Sequence, residues 1–116
     1  MTASSSRHRS AAMTATNIAF LRARPGREPW LSQALHALVA LSRDNPDCQL
    51  ANLHRSDEDP ALWLLYENWT SQEALWRHLG SPDVQSFVSR SASLLESDVG
   101  LRGFQLLPAE PIGLAA

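Results

Sequence analysis

A carboxylate, an indole and an imidazole lie close together in one stretch. It runs Trp63-Leu64-Leu65-Tyr66-Glu67-Asn68-Trp69-Thr70-Ser71-Gln72-Glu73-Ala74-Leu75, and His78 follows. His78, with a near-neutral titration range, can take a proton from a bound hydroxyl. Glu67 can act as the base itself or orient that imidazole. A carboxylate facing a core needs a partner or a raised pKa. Trp69 can stack on a planar aromatic and donate its one N–H to it. Asn52, on a neighbouring strand, can hold a substrate oxygen and, with Trp69, stabilise developing negative charge. Each residue also has a plainer reading. Trp69 is then a core aromatic, Glu67 a structural carboxylate bound to a backbone amide or an arginine, and His78 a packing histidine. Asn52 is a dimer-interface residue if its strand face lies on the barrel side.

These residues need a sheet and a helix to bring them together. Asn17 to Arg24 reads as a first strand, with Ile18, Phe20 and Arg22 alternating against Ala19, Leu21 and Ala23, and Pro25-Gly26 ends it. Arg27 to Arg43 reads as a helix with Pro29 in its first turn. Leu31, Leu35, Leu38 and Leu41, with Ala34 and Val39, form its apolar stripe. Cys48 to Arg55 is a second strand, with Leu50, Asn52 and His54 sharing a face with Cys48. Leu62 to Trp69 is a third. Trp63, Leu65, Glu67 and Trp69 share one of its faces, and Leu62, Leu64 and Tyr66 share the other.

Thr70 and Glu73 have the spacing of a capping box for a helix that ends at Gly80. Ser81-Pro82 opens another helix, with Val84, Phe87, Val88, Leu94 and Leu95 on its apolar face. Leu101 to Leu107 is the last strand. The order predicts an α+β, ferredoxin-like fold: a four-stranded antiparallel sheet with helices on one face. Ile18, Phe20, Leu64 and Tyr66 then leave the other face apolar. A second copy would cover it, which gives a homodimeric α+β barrel.

The domain is expected over residues 17–108, between a disordered tail over residues 1–16 and a tail over residues 109–116. Met13 is an alternative start. Of the 116 residues, 44% are hydrophobic, enough for one core, and the net charge of −2 gives no footprint for nucleic acid or an anionic membrane. No apolar run approaches the ~20 residues of a membrane span. The first residues lack the apolar region of a signal peptide. The one cysteine, Cys48, excludes an internal disulfide and fits a reducing cytosol, so a cytoplasmic location is expected. The four histidines show no metal-ligand spacing, and the five glycines form no phosphate loop or dinucleotide fingerprint. No metal or cofactor is expected.

From Asn17 to Leu107 the chain resembles the antibiotic biosynthesis monooxygenase family. The resemblance is carried by Pro25-Gly26, Asn45-Pro46-Asp47-Cys48, His54-Arg55-Ser56 and Asp59-Pro60. It continues through Leu65-Tyr66-Glu67-Asn68-Trp69, Glu73-Ala74-Leu75, His78, Ser81-Pro82 and Phe87. It implies a dimeric α+β barrel with a pocket between sheet and helices. The chemistry implied is oxidation of phenolic or quinol-like substrates by molecular oxygen, often without metal, flavin or haem. His78, Glu67, Trp69 and Asn52 are then the catalytic candidates. Leu21, Trp63, Leu65, Leu75 and Phe87 are the substrate-wall candidates, with Trp76 at the pocket mouth. A related branch degrades haem with an Asn on the first strand, a Trp ending the third and a His on the last helix. Trp69 matches that Trp, whereas the other two positions fall near Ala19 and Val88. The expected substrate is a small phenol, anthrone or quinol. The alternative is a non-catalytic barrel that binds an apolar small molecule.

Overall fold

The computed structural model describes residues 14–97, 100–105 and 107. Its elements are β1 (Ala15–Arg22), α1 (Glu28–Asp44), β2 (Cys48–Arg55), β3 (Leu62–Trp69), α2 (Gln72–Leu79), α3 (Pro82–Leu94) and β4 (Gly100–Phe104). The strands form one antiparallel sheet in the order β2-β3-β1-β4, the ferredoxin-like arrangement. No helix among the described residues is long and apolar enough to cross a membrane.

Side chains alternate across the pleat, so β1 and β3 each present one face to the helices. Ala15, Asn17, Ala19 and Leu21 are buried on β1, as are Trp63, Leu65, Glu67 and Trp69 on β3. Asn17 pairs with Glu67, Ala19 with Leu65 and Leu21 with Trp63. The face expected for β3 is therefore the face that is buried. β1, however, begins at Ala15 rather than Asn17. Ala15 packs with Trp69, and the Thr16 hydroxyl donates to Asn68 Oδ1 at 2.6 Å. Both residues belong to the sheet and not to the tail. The tails themselves and the alternative start at Met13 lie outside the described residues, apart from Thr14.

The stripe on α1 differs in one informative place. Leu31, Leu35, Val39 and Ser42 are its buried residues, while Leu41 is exposed. Steps of four and then three residues carry the stripe onto Ser42, so a hydroxyl takes an apolar position. The α2 cap also differs. Ser71, not Thr70, is the N-cap and accepts from the Ala74 N–H at 3.0 Å. Thr70 donates instead to Asp47 Oδ1 at 3.3 Å. Ser81 caps α3 as expected, with Pro82 in the first turn. β4 ends at Phe104, earlier than expected, and Leu107 is exposed.

The second strand carries a bulge between Cys48 and Leu50. Cys48 pairs with Trp69 and Ala51 with Glu67, so both face the helices. Leu50, Asn52 and His54 oppose Asn68, Tyr66 and Leu64, and they face away. An extra residue in one strand shifts all later side chains to the opposite side. Cys48 therefore does not share a face with Asn52. On that outer face Phe20, Leu50 and Phe104 are exposed, beside half-buried Ile18, Leu64 and Tyr66.

Candidate active site

A cavity of about 80 Å³ lies between the sheet and the helices. Its floor is Asn17, Ala19, Leu21, Leu65 and Glu67, contributed by β1 and β3. Its roof is Leu35 and Leu38 from α1, His78 and Leu79 from α2, and Val84, Phe87 and Val88 from α3. The strand register orders the floor. Asn17 and Glu67 sit opposite each other at one end, and Leu21 lies at the other. The slot is thus apolar along its length and polar at one end.

Glu67 organises that end. It is only 2% exposed. Its Oε2 accepts from the Ser42 hydroxyl at 2.8 Å, and its Oε1 from Trp69 Nε1–H at 3.3 Å and Asn17 Nδ2–H at 3.4 Å. The ion pairs among the described residues join Arg22 to Asp59 and Glu96, and Arg77 to Asp47. None reaches Glu67. This buried carboxylate is therefore held by neutral donors, neither by a backbone amide nor by an arginine. His78 Nε2 lies 3.2 Å from the same Ser42 oxygen, and its ring lies over Trp69 with centroids 4.4 Å apart. Among the described residues there is no group of three or more His, Cys, Asp or Glu that could hold a metal ion.

The sequence candidates divide clearly. Glu67, His78, Leu21, Leu65 and Phe87 line the cavity. Trp69 does not: it is fully buried, its N–H is committed to the Glu67 carboxylate, and its ring meets His78. It holds the two polar residues in place rather than walling a substrate. Leu75 packs with Trp69 in a separate small cluster, and Trp63 lies in the main core against His36 and Arg55. Neither reaches the cavity, and Trp76 is exposed outside it. Asn52 lies on the outer side of the bulged strand, where it accepts from Arg43 at 3.0 Å. It is not part of this site.

Two residues were missed. Asn17 lies one pleat before Ala19, on the same face, and supplies the amide expected of Asn52. It was the opening residue of the expected strand, which made it look like a boundary. Ser42 could have been found by extending the helical stripe one further step. Val88 lines the cavity, but the histidine there comes from the preceding helix.

Burial pushes the His78 imidazole below its ordinary pKa, and the nearby Glu67 charge opposes that shift only in part. The folded pKa therefore lies below the unfolded value of about 6.5. As pH falls through that value, the unfolded chain takes up a proton that the folded state resists. Stability then decreases with falling pH and levels off below the folded pKa. Denaturant midpoints measured between about pH 7.5 and about pH 5.5 should show this decline, and it should be shallower in His78→Gln. An equal decline in both proteins would assign the effect to other groups.

The sequence profile of a family described as antibiotic biosynthesis monooxygenase matches residues 14–90. The solved structure of PA3566 from Pseudomonas aeruginosa is 31% identical over 83% of this chain and 96% of that one, with a TM-score of 0.77. Rv0793 from Mycobacterium tuberculosis is 25% identical over 86% of this chain and 99% of that one, with a TM-score of 0.74. A structure named antibiotic biosynthesis monooxygenase shares the fold, at 20% identity, over 81% of this chain and 99% of that one, with a TM-score of 0.74. None of the curated proteins matches this chain.

Proposed function

The chain belongs to the antibiotic biosynthesis monooxygenase family, and from that premise we propose that it oxidises a small, single-ring phenol or quinol with molecular oxygen and no bound cofactor. The observation that carries this reading is the polar end of the cavity. A carboxylate with no cationic partner among the described residues sits one hydroxyl away from a half-buried imidazole, at the end of an apolar slot. Such an end can take a proton from a ring hydroxyl, because Glu67 partly offsets the burial that disfavours a cation on His78.

The volume restricts the substrate. A cavity of about 80 Å³ is well below the roughly 300–1,000 Å³ of typical ligand sites, so anthrones and other polycyclic rings are set aside in favour of one ring. A haem does not fit this space either, although Asn17 and His78 line it and Trp69 packs on His78.

In the reaction, the ring hydroxyl gives its proton to His78, and the phenolate oxygen takes a hydrogen bond from the Asn17 amide. The electron-rich ring reacts with oxygen at the carbon para or ortho to the hydroxyl. A C–O bond forms, the C–H and O–O bonds break, and the departing hydroxide takes the His78 proton. Phenol and oxygen become a quinone and water. The ring supplies all four electrons, so no outside reductant is needed. Glu67 holds the imidazolium through Ser42.

Oxygen uptake should be followed with a panel of single-ring phenols and hydroquinones, with an anthrone for comparison. Uptake with equimolar quinone formation is expected for the single rings. Binding of the same compounds without uptake would replace this reading with a non-catalytic barrel that sequesters an apolar molecule.

The same reading includes a homodimer that closes the sheet's outer face. Phe20 and Phe104 are 44% and 52% exposed there, next to Leu64 and Tyr66. An apolar sheet face of this kind calls for a cover. Leu64→Glu puts a charge in its centre, opposite Phe20 and His54. Sedimentation should give a dimer for the parent chain and a monomer for this variant. A dimer that persists in Leu64→Glu would place the interface elsewhere.

A further inference from the structure

We infer that Ser42 is a positioning residue: it fixes His78 as the Nε2–H tautomer and leaves Nδ1 as the atom that takes the substrate proton. This rests on the proposed reaction only for the word "substrate", since the tautomer follows from the geometry alone.

A serine hydroxyl has one hydrogen and two acceptor lone pairs. Ser42 Oγ has two neighbours, Glu67 Oε2 at 2.8 Å and His78 Nε2 at 3.2 Å. The carboxylate oxygen can only accept while Glu67 is ionised, and a hydrogen bond to an ionised group is the stronger of the two. The single proton therefore goes to Glu67, in keeping with the shorter distance. The hydroxyl can then only accept from His78, so Nε2 carries the hydrogen. A neutral imidazole protonated at Nε2 has its lone pair at Nδ1. Nδ1 has no hydrogen-bond partner among the described residues. It is not a buried orphan either, since Trp63 Nε1 is the buried side-chain atom found without a partner there. It is thus open, on a residue that lines the cavity.

The arrangement is reversible by one substitution. In Glu67→Gln the amide oxygen stays where Trp69 and Asn17 donate, because the indole N–H can only donate. The amide NH₂ then faces Ser42. The hydroxyl must accept from it and turn its own hydrogen onto His78 Nε2. That reversal forces His78 into the Nδ1–H tautomer and removes the open lone pair without disturbing the packing.

Nitrogen-15 NMR of histidine-labelled protein reads the tautomer directly, at a pH where the imidazole is neutral. The expected result is Nε2–H in the parent chain and Nδ1–H in Glu67→Gln. Nδ1–H in the parent, or an unchanged tautomer in a folded Glu67→Gln, would overturn the inference. Should Glu67→Gln fail to fold, the parent spectrum still decides. A parent chain that shows Nε2–H yet consumes no oxygen would defeat the proposed reaction and leave this inference standing.

Discussion

Glu67→Ala is expected to lower the unfolding free energy by about 3 kcal/mol. Trp69 Nε1, Asn17 Nδ2 and the Ser42 hydroxyl all give their hydrogens to this carboxylate. Ser42 can turn towards His78 when the carboxylate is removed. The indole and the amide have no such choice, and each buried donor left without an acceptor costs roughly 1–3 kcal/mol. Removing a buried charge recovers some desolvation energy, which keeps the total from the full sum. A loss of this size is a large part of the roughly 5–15 kcal/mol that holds a small domain folded. Glu67→Gln should remain within about 1 kcal/mol of the parent, because Trp69, Asn17 and Ser42 each keep an acceptor once Ser42 reverses. Denaturant titration of the three proteins checks both statements. A loss below about 1 kcal/mol in Glu67→Ala would mean that the carboxylate does not organise the polar end.

The largest effect on activity is expected at His78. His78→Ala should lower kcat by about 10²- to 10⁴-fold, the range for a positioned general base. The fold should survive. His78 is half-buried, and the contacts it gives up are the ring of Trp69 and one long hydrogen bond to Ser42. The loss should appear in kcat, because the neutral phenol left in the variant does not react with oxygen. Steady-state oxygen uptake gives kcat and KM, and sedimentation checks the assembly. Undiminished turnover in a folded His78→Ala would exclude His78 as the base.

The sequence was most legible where periodicity is strict. The limits of β2 and β3 agree with the expectation, and the alternation from Trp63 to Trp69 gave the right face for Glu67. It was less legible where one residue changes the rule. The bulge between Cys48 and Leu50 cannot be seen in an unbroken strand pattern, and it puts Asn52 on the opposite face from Cys48. Small polar residues ahead of Asn17 read as tail, yet Ala15 is needed beneath Trp69 and Thr16 beside Asn68.

The site itself was half visible. Glu67 and His78 stood out because charged and titratable groups are conspicuous beside an apolar run. Ser42 and Asn17 did not, since one hydroxyl and one amide are common in any chain. What gives them their role is contact with residues 25, 36 and 50 positions away in sequence. Trp69 was read as a pocket wall, whereas it gives its N–H to Glu67, meets His78 with its ring and is absent from the cavity lining. Its position shows which face it takes, not that its N–H is committed to Glu67.

The central claim is that the polar end of this cavity ionises a bound phenol through His78. The most direct measurement is the ultraviolet–visible spectrum of a chromogenic single-ring phenol, bound without oxygen at near-neutral pH. The parent chain should hold it as the phenolate and His78→Gln as the neutral phenol. A neutral phenol in the parent, or a phenolate in both proteins, would contradict the claim.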